Sequence, residues 1–326
     1  MAATFTRTFR ARPYLTTAAF ASVAGAAYYT TTQRPVHLDS AHNATQTFSF
    51  PKTMLFSQQL TVTAVEQVNH DTKRITFSLP GGKEETTGVP ASAAILTQHT
   101  PPYAWFPVLR PYTPIHDRSS PGILQLLVKK YPSGVASNYM HSLTPGAQLT
   151  VRGPIPGYVW QASPATPRDV IFVAGGAGIT PIYSLAREAL ADEQDRTRIH
   201  LLWGVNGERD LVLKEELAAL QAKYPERFHV RFFISSDGEE GAGSAAPPTT
   251  TTTGQAQLQR EKGYIDAVAL RSVMERCERS SGGSLLGDAK GTKVFFCGPP
   301  GMQEKLVGKK GVLSELGMGK KEVYAW

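Results

Sequence analysis

Cysteine is almost absent. Cys277 and Cys297 are the only two in 326 residues, too few for a disulfide framework or an iron-sulfur cluster, and neither stands in a CxxC or Cys/His spacing that holds zinc. No metal is therefore expected. An unbroken apolar run of about 20 residues, the length a membrane-crossing helix needs, is also missing. The nearest stretch, YLTTAAFASVAGAAYYT from Tyr14 to Thr30, is shorter and only mildly apolar, so a polytopic membrane protein is excluded and at most a single weak anchor remains. Acidic residues are missing from the first 38 positions. Arg7, Arg10, Arg12 and Arg34 contribute four of the net +7 before the first acid, Asp39, which leaves +3 for the rest of the chain. So small a remainder suits a mildly basic face for an acidic partner and argues against nucleic-acid binding.

What is present is the composition of a water-soluble globular protein, 41% hydrophobic and 19% charged, with length enough for two domains that each bury a core. Residues 1–35, free of acid and rich in Arg, Ser and Thr, have the composition of a mitochondrial import segment; a weak anchor and a plain tail are the alternatives. The expected location is mitochondrial and membrane-associated, at the outer membrane or in the intermembrane space. Residues 36–53 read as a polar linker.

From residue 54 to 163 short β-rich runs such as QLTVTAVEQV, RITFSL and ILQLLVKK alternate with Pro and Gly, the texture of an antiparallel β-barrel. After SPATP (Ser163 to Pro167) the pattern changes. VIFVAGG, HLLWGV, HVRFFIS and KVFFCG are strand runs separated by helical segments, which predicts an α/β domain with a parallel sheet over residues 167–326. Residues 237–262, with five consecutive Thr, read as a low-complexity surface loop.

Four motifs carry chemistry. VAGGAGITP (Val173 to Pro181) puts glycines directly after a strand and before a helix, where backbone can approach a pyrophosphate and the helix N-terminus presents N–H groups to it; alone, such glycines equally serve tight packing. RPYTPI (Arg110 to Ile115) supplies an Arg for a phosphate, a Tyr to lie against a sugar or flat ring, and a Thr for a heteroaromatic edge; alone it equally describes an edge strand. KKYPSGVASNYM (Lys129 to Met140) has a Gly and a Ser where a turn opens a helix from Asn138 onward. FCGPPGM (Phe296 to Met302) sets Cys297 at the carboxyl end of a strand, where open α/β sheets hold ligands, although a thiol in that place is also ordinary core.

In this order, and with RGPI at Arg152 to Ile155, the motifs closely resemble the ferredoxin reductase superfamily and its cytochrome b5 reductase branch, the fungal mitochondrial type in particular. The resemblance runs from about residue 55 to the C-terminus. It implies an FAD-binding barrel followed by an NAD-binding domain. Arg110, Pro111, Tyr112 and Thr113 would contact FAD, with Arg110 on the pyrophosphate, and Gly134, Val135, Ala136 and Ser137 would line the rest of the phosphate path. Lys129 would lie near NADH. Gly175, Gly176, Gly178, Thr180 and Pro181 would form the nicotinamide-side turn, with Thr180 close to the flavin, and Cys297, Gly298, Pro299 and Pro300 would face the nicotinamide. Asp210 corresponds to the acid that favours NADH over NADPH by accepting from a ribose 2′-OH and repelling a 2′-phosphate; a helix N-cap before LVLKEEL is equally good chemistry for it.

The implied activity is hydride transfer from NADH to FAD, then single-electron transfer to a b5-type cytochrome, by a protein expected to be a monomer. Thr180, Cys297 and Lys129 would lie nearest the reacting rings. The rivals are a same-fold NAD(P)H reductase with a quinone or another redox protein as acceptor, and a non-catalytic mitochondrial assembly factor. The chain departs from the family pattern at its end, where VYAW stands in place of a terminal Phe, so the role of Trp326 is open.

Overall fold

The structure is a computed structural model that describes residues 46–47, 56–115, 120–235, 258–280, 287, 291 and 293–326, all in one compact unit from Thr45 to Trp326. Residues 1–35, most of the 36–53 linker and the Thr-rich run lie outside the described residues. Among the described residues no helix is long and apolar enough to cross a membrane.

The first half contains β1 (Gln46–Thr47), β2 (Gln58–Gln67), β3 (Thr72–Ser78), β4 (Glu85–Thr86), β5 (Ala94–His99), β6 (Val108–Tyr112), β7 (Ile123–Lys129), the helix α1 (Val135–Ser142) and β8 (Gln148–Ile155). Six of these strands form an antiparallel sheet in the order β6-β5-β8-β2-β3-β7. Alternate residues of each strand point inward, as Ile75 and Phe77 do on β3 and Leu124, Leu126 and Val128 on β7, and these fill one core. The two outer strands approach each other where the Ile115 N–H donates to the Gln125 carbonyl at 3.0 Å, just past the end of β6, which curls the sheet into the expected barrel.

The second half alternates β9 (Arg168–Gly175), α2 (Ile179–Ala191), β10 (Thr197–Val205), α3 (Lys214–Lys223), β11 (Phe228–Ile234), β12 (Gln259–Lys262), α4 (Ala267–Ser280), β13 (Val294–Cys297), α5 (Pro300–Val307), α6 (Val312–Glu315) and β14 (Val323–Ala325). All pairings in its sheet are parallel, in the order β12-β11-β10-β9-β13-β14. Every residue of β9 is buried, because α2 covers one face of the sheet and α4 and α5 the other. Two boundaries differ from the sequence reading. Helix α1 begins at Val135, not Asn138, since Gly134 in extended conformation opens it. The last residues of the segment read as a loop, Gln259–Lys262, form edge strand β12 by pairing with Arg231 to Ile234.

Candidate active site

The strand order reverses at β9: the chain leaves it for β10 on one side and later places β13 on the other. In open α/β sheets such a reversal leaves a crevice at the carboxyl ends of the strands. Both glycine motifs open into it. Gly175 ends β9, Gly176 to Gly178 form a single 3-10 turn, and α2 starts at Ile179 with no side-chain cap. Across from it β13 ends at Cys297, and α5 starts at Pro300. The two turns touch backbone to backbone, so that a Cβ at Gly178 would stand 2.2 Å from the Cys297 carbonyl oxygen. Glycine there is therefore a packing requirement, and the same packing leaves an uncapped helix N-terminus at the crevice. The Trp203 indole N–H holds the turn by donating to the Gly176 carbonyl at 3.1 Å. Thr180 bonds back to the Ala177 carbonyl at 3.3 Å, and Pro181 is buried in the first turn of α2. Burial pushes the Cys297 thiol up to about 11, so it is a neutral thiol at pH 7 and not a nucleophile.

On the barrel side Arg110, Pro111 and Tyr112 lie on β6, next to α1. Arg110 is exposed, its guanidinium resting on the Leu109 carbonyl at 2.7 Å. Tyr112 packs against the barrel core, and burial together with nearby Tyr131, opposed by Arg110, raises its phenol to about 12. Thr113 is buried. At the α1 turn the Ser137 hydroxyl accepts from the Tyr131 N–H at 3.1 Å and donates to the Gly134 carbonyl at 3.0 Å. A Cβ at Gly134 would collide with that hydroxyl at 2.4 Å. The first turn of α1 again has no side-chain cap. An uncapped helix start behind a glycine, with an exposed Arg on the adjoining strand, is a donor set that fits a diphosphate. Ala136 faces the interior, so it can contribute only backbone.

Helix α2 joins the two halves. Ser184 donates to the Pro114 carbonyl at 2.6 Å and Arg187 to the Ile115 carbonyl at 2.9 Å, directly behind the RPYT strand. Lys129, at the end of β7, lies between two carboxylates: its ammonium is 2.9 Å from Asp71 and 3.0 Å from Asp210. Burial works against the Lys129 charge, but these bonds outweigh it and raise its pKa. Burial likewise works against ionised Asp210, and Lys129 and the Gly207 N–H at 3.0 Å together hold its pKa down. The N-cap alternative for Asp210 does not apply to α3, whose N-cap is Leu213; Asp210 instead closes its own short turn over Gly207.

Sequence reasoning missed Asp71 and Ser184. The Asn69-His70-Asp71 run announces a turn between β2 and β3, but nothing local ties Asp71 to a lysine on another strand. Trp326 follows β14, and its indole N–H donates to the Ser92 carbonyl at 3.2 Å. It thus bridges the parallel sheet and the barrel.

Comparison with known proteins agrees with this division. An oxidoreductase FAD-binding domain model matches residues 59–160 and an oxidoreductase NAD-binding domain model matches residues 172–307. NADH-cytochrome b5 reductase 2 of Neurospora crassa is 37% identical over 270 residues, covering 80% of this chain and 70% of the relative. The protein of the same name from Emericella nidulans is 35% identical over 275 residues, covering 81% and 76%. The crystal structure of the cytochrome b5 reductase domain of Ulva prolifera nitrate reductase superposes with a TM-score of 0.63 at 23% identity, covering 84% of this chain and 99% of that one, and so shares the fold.

Proposed function

The chain belongs to the NADH-cytochrome b5 reductase family, and from that premise we propose that it takes a hydride from NADH onto FAD and passes the electrons singly to a b5-type haem protein. The observation that carries this reading is the contact between the glycine turn after β9 and the CGPP turn after β13, at the strand-order reversal and tied through α2 to the RPYT strand. FAD, when bound, supplies the conversion between a two-electron donor and a one-electron acceptor.

The protein contributes position. Arg110 and the α1 N-terminus hold the diphosphate of FAD, with Pro111, Tyr112 and Thr113 along the flavin and Gly134 to Ser137 along the phosphates. Gly175 to Pro181 and Cys297 to Pro300 form the two walls between which the nicotinamide enters, Thr180 on the flavin side. Lys129 and Asp210 belong to the NADH side. No acid-base triad is required, and the neutral Cys297 thiol shapes the pocket. The acid-free residues 1–35 support a mitochondrial, membrane-associated location at the outer membrane or intermembrane space, for a monomeric enzyme.

Purified protein is expected to be yellow, to reduce ferricyanide with NADH, and to reduce a b5-type haem protein faster than quinones. Colourless protein that stays inactive when FAD is added would remove the enzymatic reading. Faster turnover with a quinone would move the acceptor. A fusion of residues 1–35 to a fluorescent reporter is expected on mitochondria, and a diffuse signal defeats the location.

A further inference from the structure

Among the described residues the most exposed large apolar side chain is Trp105, at 96%, and it does not stand alone: Tyr103 is 78% and Phe106 83% exposed in the same β5–β6 connection, TPPYAWFP from Thr100 to Pro107. Single exposed hydrophobics are ordinary, whereas three large aromatic rings within four residues make a patch that marks a contact surface. The cleft beside α1 takes Tyr103 into its lining but neither Trp105 nor Phe106. The connection is built to hold the rings outward. Pro102 stands at the β-turn position that favours proline, and the Ala104 N–H closes the turn on the Pro101 carbonyl at 3.0 Å. With Pro107 as well, the backbone has little freedom left to lose when the rings are engaged.

Their surroundings decide what they engage. No charged residue occurs between Glu85 and Arg110, so a charged macromolecular surface finds no complement in this segment. Trp and Tyr, each an apolar ring with one polar atom, match the boundary between lipid headgroups and hydrocarbon. The fold places the turn where a bilayer contact is useful. Ser78 pairs with Ile123, Thr61 with both Ser78 and Gln148, and Gln98 with Thr150, so the ends of β3 and β5 and the starts of β6, β7 and β8 share one end of the barrel. Strand β1 (Gln46–Thr47) joins at that end: it pairs with β4, whose Glu85 carbonyl accepts from the Gly122 N–H just before β7. The first 45 residues therefore lead into the fold on the side of the aromatic turn. Their Tyr14 to Thr30 stretch is a weak anchor by length and composition, and stable attachment to a membrane takes two such signals.

We propose that the turn carrying Tyr103, Trp105 and Phe106 dips its rings into the interface of a lipid bilayer and is the second membrane contact of the protein. The proposal rests on the membrane-associated location above and goes further in assigning a surface of the folded domain to the lipid.

The test uses full-length protein and phosphatidylcholine vesicles with brominated acyl chains, which quench a tryptophan that reaches them. The parent is expected to sediment with the vesicles and lose part of its fluorescence, and Trp105→Phe should sediment like the parent while abolishing most of the quenching. Trp105→Ser combined with Phe106→Ser should weaken partitioning about tenfold or more. The replaced rings are almost fully exposed, so the lipid-free melting temperature should stay at the parent's value. Undiminished vesicle binding by the double variant, or quenching that survives in Trp105→Phe, assigns attachment to the N-terminal segment and overturns the turn's role while the location stands. A lipid-free parent that is dimeric beside a monomeric double variant gives the turn to a second copy of the chain and overturns it likewise. Failure of the parent to bind vesicles overturns both.

Discussion

Asp210 shows how far a residue's role can be read before its neighbours are known. The sequence offers two chemistries, a ribose-binding acid and a helix cap, and the fold removes the second from α3 while giving the side chain a partner 81 residues away, Lys129. Replacing the carboxylate therefore has two effects at once: it takes away an acceptor and a repulsive charge, and leaves the Lys129 ammonium facing Asp71 alone. A lysine with one carboxylate removed is better disposed toward a 2′-phosphate. Asp210→Thr is expected to lower the NADH/NADPH ratio of kcat/KM by about tenfold or more, equivalent to about 1.4 kcal/mol of differential binding. Asp71→Asn, which also leaves Lys129 with one carboxylate but keeps the Asp210 acceptor and charge, should lower that ratio by less than Asp210→Thr does. An Asp210→Thr enzyme with a lowered melting temperature and an unaltered coenzyme ratio would assign the residue to structure alone.

At the scale of elements, the glycine turns and the joint between barrel and sheet behave differently. The GGAGITP turn was legible because strand, glycine turn and helix follow one another locally. That Gly178 and Gly176 are glycines for different reasons was not, since the reason for Gly178 is a carbonyl at Cys297, 119 positions later. Gly176 needs its freedom for φ, which is +50°, and a Cβ there meets nothing within 4 Å. Gly176→Ala should cost about 1–2 kcal/mol of left-handed strain. Gly178→Ala must drive two turns apart, so its loss of stability should be the larger, up to about 3 kcal/mol, with weakened NADH binding. Urea midpoints and NADH titration of the two variants check the order.

The joint depends on Asp195. Its carboxylate accepts from the Ser163 N–H at 3.0 Å, the Thr197 N–H at 3.0 Å, the Thr197 hydroxyl at 2.6 Å and the Trp160 indole at 2.8 Å. Burial opposes its charge, but these bonds prevail and lower its pKa. A carboxylate with a folded pKa below its unfolded value of about 3.9 stabilises above that value and loses the contribution as pH falls through the folded pKa. Asp195→Asn should therefore lower the melting temperature at pH 7 and make it less sensitive to acidification below about pH 4. A variant with the parent's full acid dependence would place that dependence elsewhere.

For the whole molecule, the two halves were legible as halves because each has its own period, alternating residues in the barrel and buried runs between helices in the sheet. Their junction was not, because it is built from pairs with no shared local pattern: Ser184 with Pro114, Asn69 with Arg209, Arg74 with Glu216, Trp326 with Ser92. The junction also has an apolar component. Ile115, Leu127 and Tyr158 from the barrel half belong to the same core cluster as Phe172 and Phe295 of the sheet, and Tyr158 packs edge-on against Phe295 at 4.7 Å and Tyr324 at 4.8 Å. A shared core makes separate unfolding of either half costly, so urea should give one transition by every probe. Trp326 is the test of that coupling. It touches Tyr324 edge-on at 4.9 Å, bonds the barrel at Ser92, and is half-buried. Full burial would make its removal worth about 3–5 kcal/mol; half-burial reduces this to about 2 kcal/mol. Trp326→Ala should lower stability by that amount and separate the transitions seen by far-ultraviolet circular dichroism and by flavin release. Retention of a single coincident transition at the parent's midpoint would show that the apolar contacts of Tyr158 suffice to join the halves without the terminal indole.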